Sequence, residues 1–330
     1  MKKNRILAAG CALCMSVLLC GCRIGNREIV VMLSGTLNDK QVFKMDKTAC
    51  GLKEARVYLT NYQNIYGTAY GIDLWEHDFG ENSLEKYVKD VTLEKLTYVV
   101  GMDLLAESRG MELTDREWKL AGEAAEEYYD SLSDEETAYL GVTESDIQEY
   151  YAHYALAQKL YASLTESVNG EVSDDEARVM ELMQIFVMDE KKASEVEAKL
   201  RNGDDFASLA NNYNQHSAIQ ITVARDELPG EVEQAAFGLD NGEISGKIKT
   251  DNGYYFVKCL NKYNEELTEA NKSNIVEKRE KEAFDDIYKT YVSGLSAELN
   301  RELWEGLEMD TGGTISTDSF FEVYEAHFTD

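Results

Sequence analysis

Residues 202–214 read NGDDFASLANNYN, and residues 235–258 read AAFGLDNGEISGKIKTDNGYYFVK. In the first stretch, apolar residues recur at helical spacing from Phe206 to Tyr213, which predicts one face of a short helix. The second stretch holds the turn signal Asn252-Gly253 between two runs that suit β-strands, so it predicts a hairpin.

The residues around these stretches extend the same pattern. Val196 and Leu200 mark a preceding helix that ends at Gly203. Strands are predicted near Gln184–Met188 and Ile221–Val223. The whole region is therefore expected to fold as a small antiparallel sheet that carries helices, which is an α+β unit.

These stretches resemble the parvulin family of peptidyl-prolyl isomerases. In that family a G-x-x-F-x-x-L-A helix precedes an A-x-F-x-L-x-x-G-E-I-S segment and a closing hairpin. The resemblance implies isomerisation of X-Pro peptide bonds, whose barrier is about 18–20 kcal/mol. Such a reaction needs no covalent step, because groups that favour the twisted amide over the planar one lower the barrier.

The chain departs from the family pattern at its polar positions. Gln184 and Tyr255 stand where the family has histidines, and His216 stands where it has Asp or Cys. A glycine-rich segment of the family is replaced by residues 218–230. These departures favour isomerase activity that is weak or lost, although Tyr and Gln side chains can donate and accept hydrogen bonds as a neutral imidazole does.

The resemblance also implies a set of site residues. The candidate catalytic residues, expected to form a polar floor, are Gln184, His216, Asn252 and Tyr255. The candidate substrate-binding residues, expected to line a pocket for the proline ring, are Leu228, Val232 and Phe237. In a degenerate cleft the polar residues would instead only satisfy one another.

The N-terminus has the pattern of a secretory signal peptide. Basic residues at Lys2, Lys3 and Arg5 precede an apolar run, Ile6–Leu19, that is too short to span a bilayer stably. The run leads into Leu-Cys-Gly-Cys, which resembles a bacterial lipobox and makes Cys22 the candidate lipidation site. An ordinary cleaved signal with a chance cysteine is the alternative.

The remaining cysteines and the histidines predict neither disulfides nor metal sites. Beyond Cys22, only Cys50 and Cys259 are left, and both are expected to be buried small apolar residues. Histidines are scattered singly, so no metal and no cofactor is proposed. They are His77, His153, His216 and His327.

The chain is strongly acidic, with 62 Asp and Glu against 33 Lys and Arg and a net charge of −29. Such a surface repels nucleic acid, so no nucleic-acid partner is expected. It also repels anionic headgroups, so membrane attachment must come from a lipid on Cys22. The acidity serves either solubility or the attraction of basic unfolded polypeptides.

The region before the parvulin-like part is predicted to be mainly helical. Two apolar runs within Glu28–Met45 predict a strand pair, and a Tyr-rich helical face follows that is either core or a client-binding surface. Capping boxes are predicted at Asn82–Glu85 and Thr114–Glu117. The predicted helices are Leu52–Tyr66, Leu84–Arg109, Trp118–Ser131 and a stripe from Ile147 to Leu164.

The order of these elements resembles the chaperone region of foldase lipoproteins and periplasmic chaperones that carry parvulin domains. The resemblance rests on residues 104–117 and 141–154, and it implies that a helix predicted over Thr268–Leu307 packs back onto the N-terminal helices. The predicted division is a signal peptide, an N-terminal helical region, a parvulin-like domain, a C-terminal helix and a tail of unknown role. Their ranges are 1–21, 22–168, 169–264, 265–310 and 311–330.

The sequence thus predicts an α+β protein in which a parvulin-like domain is inserted into a helical chaperone module. The expected function is that of a lipid-anchored foldase or chaperone, facing the cell wall or periplasm, that binds unfolded exported proteins. A homodimer is possible on this reading. The alternative is a non-catalytic envelope binding or assembly protein that uses the parvulin fold as a scaffold.

Overall fold

The computed structural model describes residues 37–70, 83–310 and 313–328, without the side chains of residues 69 and 70. The chain divides into two compact units. The first, here called the helical unit, combines residues up to Glu166 with Ala283–Asp330. The second, here called the sheet unit, is Ser167–Glu282.

The helical unit contains helices from both ends of the chain and a small sheet. Helix α10, Glu265–Val292, begins in the sheet unit and ends in the helical unit. The other helices of the helical unit are α1 Leu52–Tyr70, α2 Leu84–Ser108, α3 Asp115–Ser131, α4 Asp134–Leu140, α5 Glu144–Thr165, α11 Arg301–Glu305 and α12 Phe320–Phe328.

Side-chain caps fix where the central helices begin. The predicted capping box of Thr114 and Glu117 is confirmed at the start of α3, and equivalent boxes open α4 and α5. The prediction for α2 was wrong by one residue. Its cap is Ser83, whose hydroxyl accepts a hydrogen bond from the Lys86 amide at 3.2 Å.

The small sheet contradicts the predicted strand pair near the N-terminus and part of a predicted C-terminal helix. Its strands, in the order β2-β1-β7, are all antiparallel. The predicted pairing of the apolar runs within Glu28–Met45 is wrong, because both neighbours of β1 come from later in the chain. The first of those runs lies outside the described residues. The strands are β1 Gln41–Met45, β2 Thr48–Gly51 and β7 Ala297–Leu299.

The predicted helix over Thr268–Leu307 is also wrong in its second half. Helix α10 ends at Val292, and the Ser293–Gly294 pair leads into β7. Strand β7 satisfies the backbone groups of β1 on the side that β2 leaves open, which a continuous helix would not do.

Aromatic residues dominate the core of the helical unit. The predicted stripe of α5 is confirmed, since Ile147, Tyr154 and Ala157 are buried. The Tyr-rich face of α1 is core: Ala55, Leu59 and Tyr66 are buried, and Tyr62 packs against the same cluster.

A polar cluster lies within this core. The carboxylate of Glu54 is 3.4 Å from Nδ1 of His153. Asp103 Oδ1 and the hydroxyl of Tyr58 are buried, and neither has a hydrogen-bond partner among the described residues. Burial, reinforced by the charge of Glu54 and opposed by that of His153, raises the pKa of Asp103 to about 8.

The sheet unit contains the small antiparallel sheet that the sequence predicted. Its four strands lie in the order β4-β3-β6-β5. Its strands are β3 Met180–Val187, β4 Gln220–Val223, β5 Ile248–Thr250 and β6 Gly253–Asn261. Its helices, besides the start of α10, are α6 Asp174–Ala177, α7 Glu190–Arg201, α8 Phe206–Tyr213 and α9 Gly230–Ala236.

The two faces of this sheet carry different helices. Ile185 and Val187 of β3 pack with α7 and α8 on one face. Leu182 and Phe186, which alternate with them, pack with α9 on the other, which we call the α9 face. The site residues predicted from the sequence belong to the α9 face and to the loops around it.

No helix among the residues that the structure describes is long and apolar enough to cross a bilayer. The predicted signal peptide and Cys22 lie outside those residues. Cys50 and Cys259 are free thiols and both are buried, as the sequence predicted.

Candidate active site

The candidate site is built on two paired strands. Phe186 of β3 lies opposite Tyr255 of β6, and Gln184 lies opposite Val257. Since side chains alternate along a strand, Gln184 and Phe186 point to the α9 face together with Tyr255. The sheet register therefore positions two of the predicted polar residues near one another.

His216 and Tyr255 form a hydrogen-bonded pair. Nε2 of His216 lies 3.0 Å from the Tyr255 hydroxyl oxygen, and the imidazole stacks on the Phe186 ring with centroids 4.3 Å apart. The Phe186 and Tyr255 rings are 4.7 Å apart. Burial raises the pKa of Tyr255, so its hydroxyl stays protonated at neutral pH and can donate a hydrogen bond to the imidazole.

The loop that carries His216 is tied to β3 by the two residues before it. The Asn214 side chain accepts a hydrogen bond from the Phe186 amide at 3.0 Å and donates one to the His216 carbonyl at 3.0 Å. Gln215 accepts one from the Met188 amide at 2.8 Å. These bonds fix the backbone of the loop, so the imidazole is held over Phe186.

Gln184 makes a hydrogen bond of its own to the loop that carries His216. Its side chain is 7% exposed and donates a hydrogen bond to the Ala218 carbonyl at 3.0 Å. It makes no hydrogen bond to His216 or Tyr255 in the described part of the chain. Gln184 therefore anchors the far end of the same loop.

Asn252 also lies apart from the pair. It is exposed in the turn between β5 and β6, whose two linking residues are Asp251 and Asn252. The predicted turn was Asn252-Gly253, one residue further along. Gly253 instead begins β6 and pairs with Thr250.

Glycine is required at position 253 for two reasons. Its φ is +148°, which residues with a side chain rarely adopt. A Cβ atom there would lie 2.7 Å from the Val187 carbonyl oxygen and 2.8 Å from the Phe186 ring. The close approach of β6 to the end of β3 therefore positions the ring that supports His216.

The three residues expected to line a proline pocket lie on the α9 face. Val232 is fully buried and Phe237 is 7% exposed, while Leu228 is half-buried beside them. They pack in one cluster with Phe186 and Tyr255. Val232 is thus a core residue with no surface to offer a substrate.

Two arginines lie over the ring of Phe237. The guanidinium carbons of Arg178 and Arg225 are 4.9 and 4.3 Å from its centroid. Arg178 also donates a hydrogen bond to the Phe237 carbonyl at 3.0 Å. Asp175 binds Arg225 at 2.7 Å and Arg178 at 3.4 Å, so it holds both cations together. The ring is therefore occupied by cation–π contacts.

The comparisons with known proteins identify this region. Residues 142–272 match the family model described as "PPIC-type PPIASE domain". Foldase protein PrsA of Caldanaerobacter subterraneus is 31% identical over 57% of this chain and 62% of that protein. Foldase protein PrsA 4 of Bacillus cereus is 28% identical over 68% of this chain and 79% of that protein.

Residues 142–272 belong to the parvulin family. Over a longer stretch the chain is similar to PrsA foldases. It spans 62% of the length of the first of these relatives. A crystal structure of a PrsA peptidylprolyl isomerase from Bacillus cereus covers 72% of this chain and 92% of its own, at 20% identity and a TM-score of 0.40. The assignment rests on the matches in sequence.

In this parvulin domain, the sequence alone did not reveal the arginines over Phe237 or the support that Phe186 gives His216. Arg178 and Phe237 are 59 positions apart, and no local pattern joins them. Phe186 carried a detectable signal, because it follows Gln184 by two positions on the same strand face. No group of His, Cys, Asp and Glu in the described ranges is arranged to hold a metal ion.

Proposed function

We propose that this protein is a foldase and chaperone for exported polypeptides whose parvulin domain has weak or no isomerase activity. The relatives named foldases support the first part. The acidic chain, with net charge −29, suits transient binding of basic unfolded segments.

The arginines over Phe237 support the second part of the proposal most directly. A proline ring needs an open apolar surface, and a guanidinium on an aromatic face is an attraction worth about 0.5–1 kcal/mol at exposed sites. A substrate must displace that contact before it can use the ring. Val232, being buried, offers no alternative surface.

The polar pair supports the same conclusion. The Tyr255 hydroxyl and His216 Nε2 satisfy each other at 3.0 Å. Only interactions that strengthen in the transition state lower a barrier, and a group already paired must give up that bond to contact a twisted amide. The pair therefore stabilises the loop more than it stabilises a substrate.

Export and anchoring complete the proposal. The N-terminal pattern and Cys22 support a lipid-anchored protein outside the cytoplasmic membrane, facing the cell wall or periplasm. The lipid is tested by feeding cells labelled palmitate and comparing the chain with its Cys22→Ala variant. Label retained by the variant overturns Cys22 as the anchor.

Two assays on the chain beginning after Cys22 test the function. One measures isomerisation of an X-Pro tetrapeptide, alongside Tyr255→Phe and His216→Ala. The other measures suppression of aggregation of a refolding protein. We expect suppression of aggregation with an isomerisation rate near the uncatalysed one.

The other outcomes each have a definite meaning. Strong acceleration that both substitutions abolish would make His216 and Tyr255 catalytic and overturn the proposed loss of activity. If the chain neither accelerates isomerisation nor suppresses aggregation, the foldase function is wrong. The alternative then remains, which is an envelope binding or assembly protein built on a parvulin scaffold.

A further inference from the structure

The C-terminal residues 313–328, here called the tail segment, lie in a cleft of the helical unit. Helix α12 within this segment packs against α3 and α1, and its first residue, Phe320, contacts α5. The residues before it contact α4. We call the side chains that contact the segment the tail cleft. The sequence offered no role for this part of the chain.

Side chains of the tail cleft hydrogen-bond to the backbone of the tail segment. The Glu136 carboxylate accepts bonds from the amides of Ser316 and Thr317, each at 2.8 Å. The Asn64 amide donates to the carbonyls of Ile315 at 3.1 Å and Thr317 at 2.8 Å. Backbone groups are present in every polypeptide, so these contacts do not depend on the sequence that is bound.

Phe320 is held in the same way at the start of α12. Asn61 accepts a hydrogen bond from the Phe320 amide at 3.0 Å, and the Tyr151 hydroxyl donates to its carbonyl at 2.8 Å. The backbone from residue 315 to residue 320 is thus bound mainly by side chains of three helices. Recognition of an extended chain through its backbone is a common mode of peptide binding.

These polar side chains are costly in a core. Asn61 is fully buried and Glu136 is 5% exposed. A buried polar group costs free energy unless it is hydrogen-bonded, whereas an apolar residue of similar size carries no such cost. Besides its partners within the helices, each of these side chains has one oxygen that is satisfied by the backbone of the tail segment: Oδ1 of Asn61 and Oε1 of Glu136.

Two adjacent aromatic rings anchor the segment. Phe320 stacks on Tyr151 with centroids 4.3 Å apart and planes at 12°. Phe321 lies 5.0 Å from Tyr62 and 5.8 Å from Tyr154. Buried aromatic anchors beside satisfied polar groups are typical of the residues that dominate binding energy at interfaces.

We propose that the tail cleft is a peptide-binding site for unfolded polypeptide that carries two adjacent aromatic residues, and that the tail segment is its intramolecular competitor. The occupant must be unfolded, because its backbone amides and carbonyls have to be free to meet Glu136, Asn64 and Asn61. This inference rests on the proposed function and names the kind of client segment that the helical unit binds.

A tethered competitor lowers the apparent affinity of the site without closing it permanently. A segment joined by a short linker competes at an effective concentration in the millimolar range. The apparent dissociation constant for a client equals its intrinsic value divided by the fraction of molecules in which the tail segment is not bound. The cleft thus binds clients only when their local concentration is high.

The test uses the full chain with a protease recognition sequence inserted between Thr311 and Gly312. Cleavage of the folded protein makes the tail segment a separate peptide without changing any side chain of the cleft. The probe is a fluorescent peptide with the sequence GTISTDSFFEVYEAHF, residues 313–328. A matched control peptide carries Phe320→Ser and Phe321→Ser, and a competitor is an unrelated extended peptide with two adjacent phenylalanines.

We expect the cleaved chain to stay folded and to bind the probe at least tenfold more tightly than the uncleaved chain. The control peptide should bind at least tenfold more weakly than the probe. The unrelated peptide should displace the probe, because the cleft binds backbone and aromatic rings and not a particular sequence.

Three outcomes overturn the inference. Unfolding when the cleaved segment is removed would make the segment an ordinary part of the core. Failure of the probe to bind a folded, tail-free chain would leave no peptide site. Binding of the probe without displacement by the unrelated peptide would limit the cleft to this chain's own segment. If the chain still suppresses client aggregation in any of these cases, the foldase function stands and only this site fails.

Discussion

The hydroxyl oxygen of Tyr255 lies 3.0 Å from Nε2 of His216, although the two residues are 39 positions apart. One comes from the middle of the sheet and the other from the loop after α8. The Phe186 ring, which contacts both, fixes the plane of the imidazole. The hydrogen bond between the two residues therefore connects the loop to the sheet. Its removal should lower the free energy of unfolding.

Tyr255→Phe should lower the free energy of unfolding by about 0.5–1.5 kcal/mol, the usual net value of one hydrogen bond. The isomerisation rate should not change. Urea unfolding of the purified chain measures the first effect. Tyr213→Phe is the matched control, because its hydroxyl bonds to Glu195 at the surface and its loss should cost under about 0.5 kcal/mol. Equal costs for the two variants would contradict the buried role of the pair.

Arg225→Ala should raise the isomerisation rate of the parvulin domain. The substitution removes the guanidinium 4.3 Å from the Phe237 centroid and frees part of the ring for a proline. A contact of about 0.5–1 kcal/mol corresponds to roughly a two- to fivefold change in rate. The tetrapeptide assay measures it.

The control for that variant is Arg201→Ala, since Arg201 is an exposed helical arginine that pairs with Glu197. It should leave the rate unchanged. A rate for Arg225→Ala that equals that of the unsubstituted chain, with the fold intact by circular dichroism, would show that the arginine does not limit access to Phe237.

Gly253→Ala should destabilise the sheet unit by about 2–4 kcal/mol, because it combines backbone strain with a clash. Its Cβ would lie 2.7 Å from the Val187 carbonyl oxygen. Gly203→Ala is the matched comparison: φ is +87° there, but nothing lies within 4 Å of the new Cβ. It should cost only about 1–2 kcal/mol. Chemical denaturation of both variants decides whether the close approach matters.

The polar cluster of the helical unit predicts a dependence of stability on pH. The pKa of Asp103 is about 8 in the folded protein and about 3.9 in the unfolded chain, so the folded state holds the extra proton between these values. Stability should therefore fall as pH rises from about 4 to 8. Asp103→Asn removes this slope. Relative to pH 4, its stability at pH 8 should exceed that of the unsubstituted chain by about 5 kcal/mol, because each pKa unit corresponds to about 1.4 kcal/mol.

His153 contributes in the same direction. Burial lowers its pKa, but the hydrogen bond and charge of Glu54 outweigh burial and raise the pKa to about 9. Its contribution is present below about pH 6.5 and is lost as pH rises through about 9. The side chain is 44% exposed, so solvent screening keeps this contribution smaller than that of Asp103. If the stability of the Asp103→Asn variant changes with pH as much as that of the unsubstituted chain, Asp103 is not the source of the pH dependence.

Local patterns predicted those parts of the fold that are decided locally. The capping box at Thr114 and the face of α8 follow from spacings of three and four residues. The hairpin was predicted one residue off, because Asn-Gly usually occupies the turn itself. Here Gly253 is needed where β6 passes the Val187 carbonyl, and that contact is not visible in the sequence.

Long-range contacts account for what the sequence did not predict. Strand β7 forms because β1 has an open edge with which it can pair. No pattern near Ala297 predicts pairing with a strand some 250 residues earlier in the chain. The arginines over Phe237 come from the residues just before β3 and just after β4. His216 and Tyr255 were both proposed from the resemblance to parvulins, but only the folded sheet shows that they meet while Asn252 lies apart.

The division of the chain also sets the order in which it can fold. The sheet unit is contiguous and is complete once residue 282 has been synthesised. The helical unit lacks β7 and α12 until nearly the whole chain is present, because these elements come from residues 297–299 and 320–328. During that interval neither the open edge of β1 nor the tail cleft is covered by these elements. While it is being made, this protein therefore exposes apolar surface of the kind that a chaperone for unfolded chains is proposed to bind.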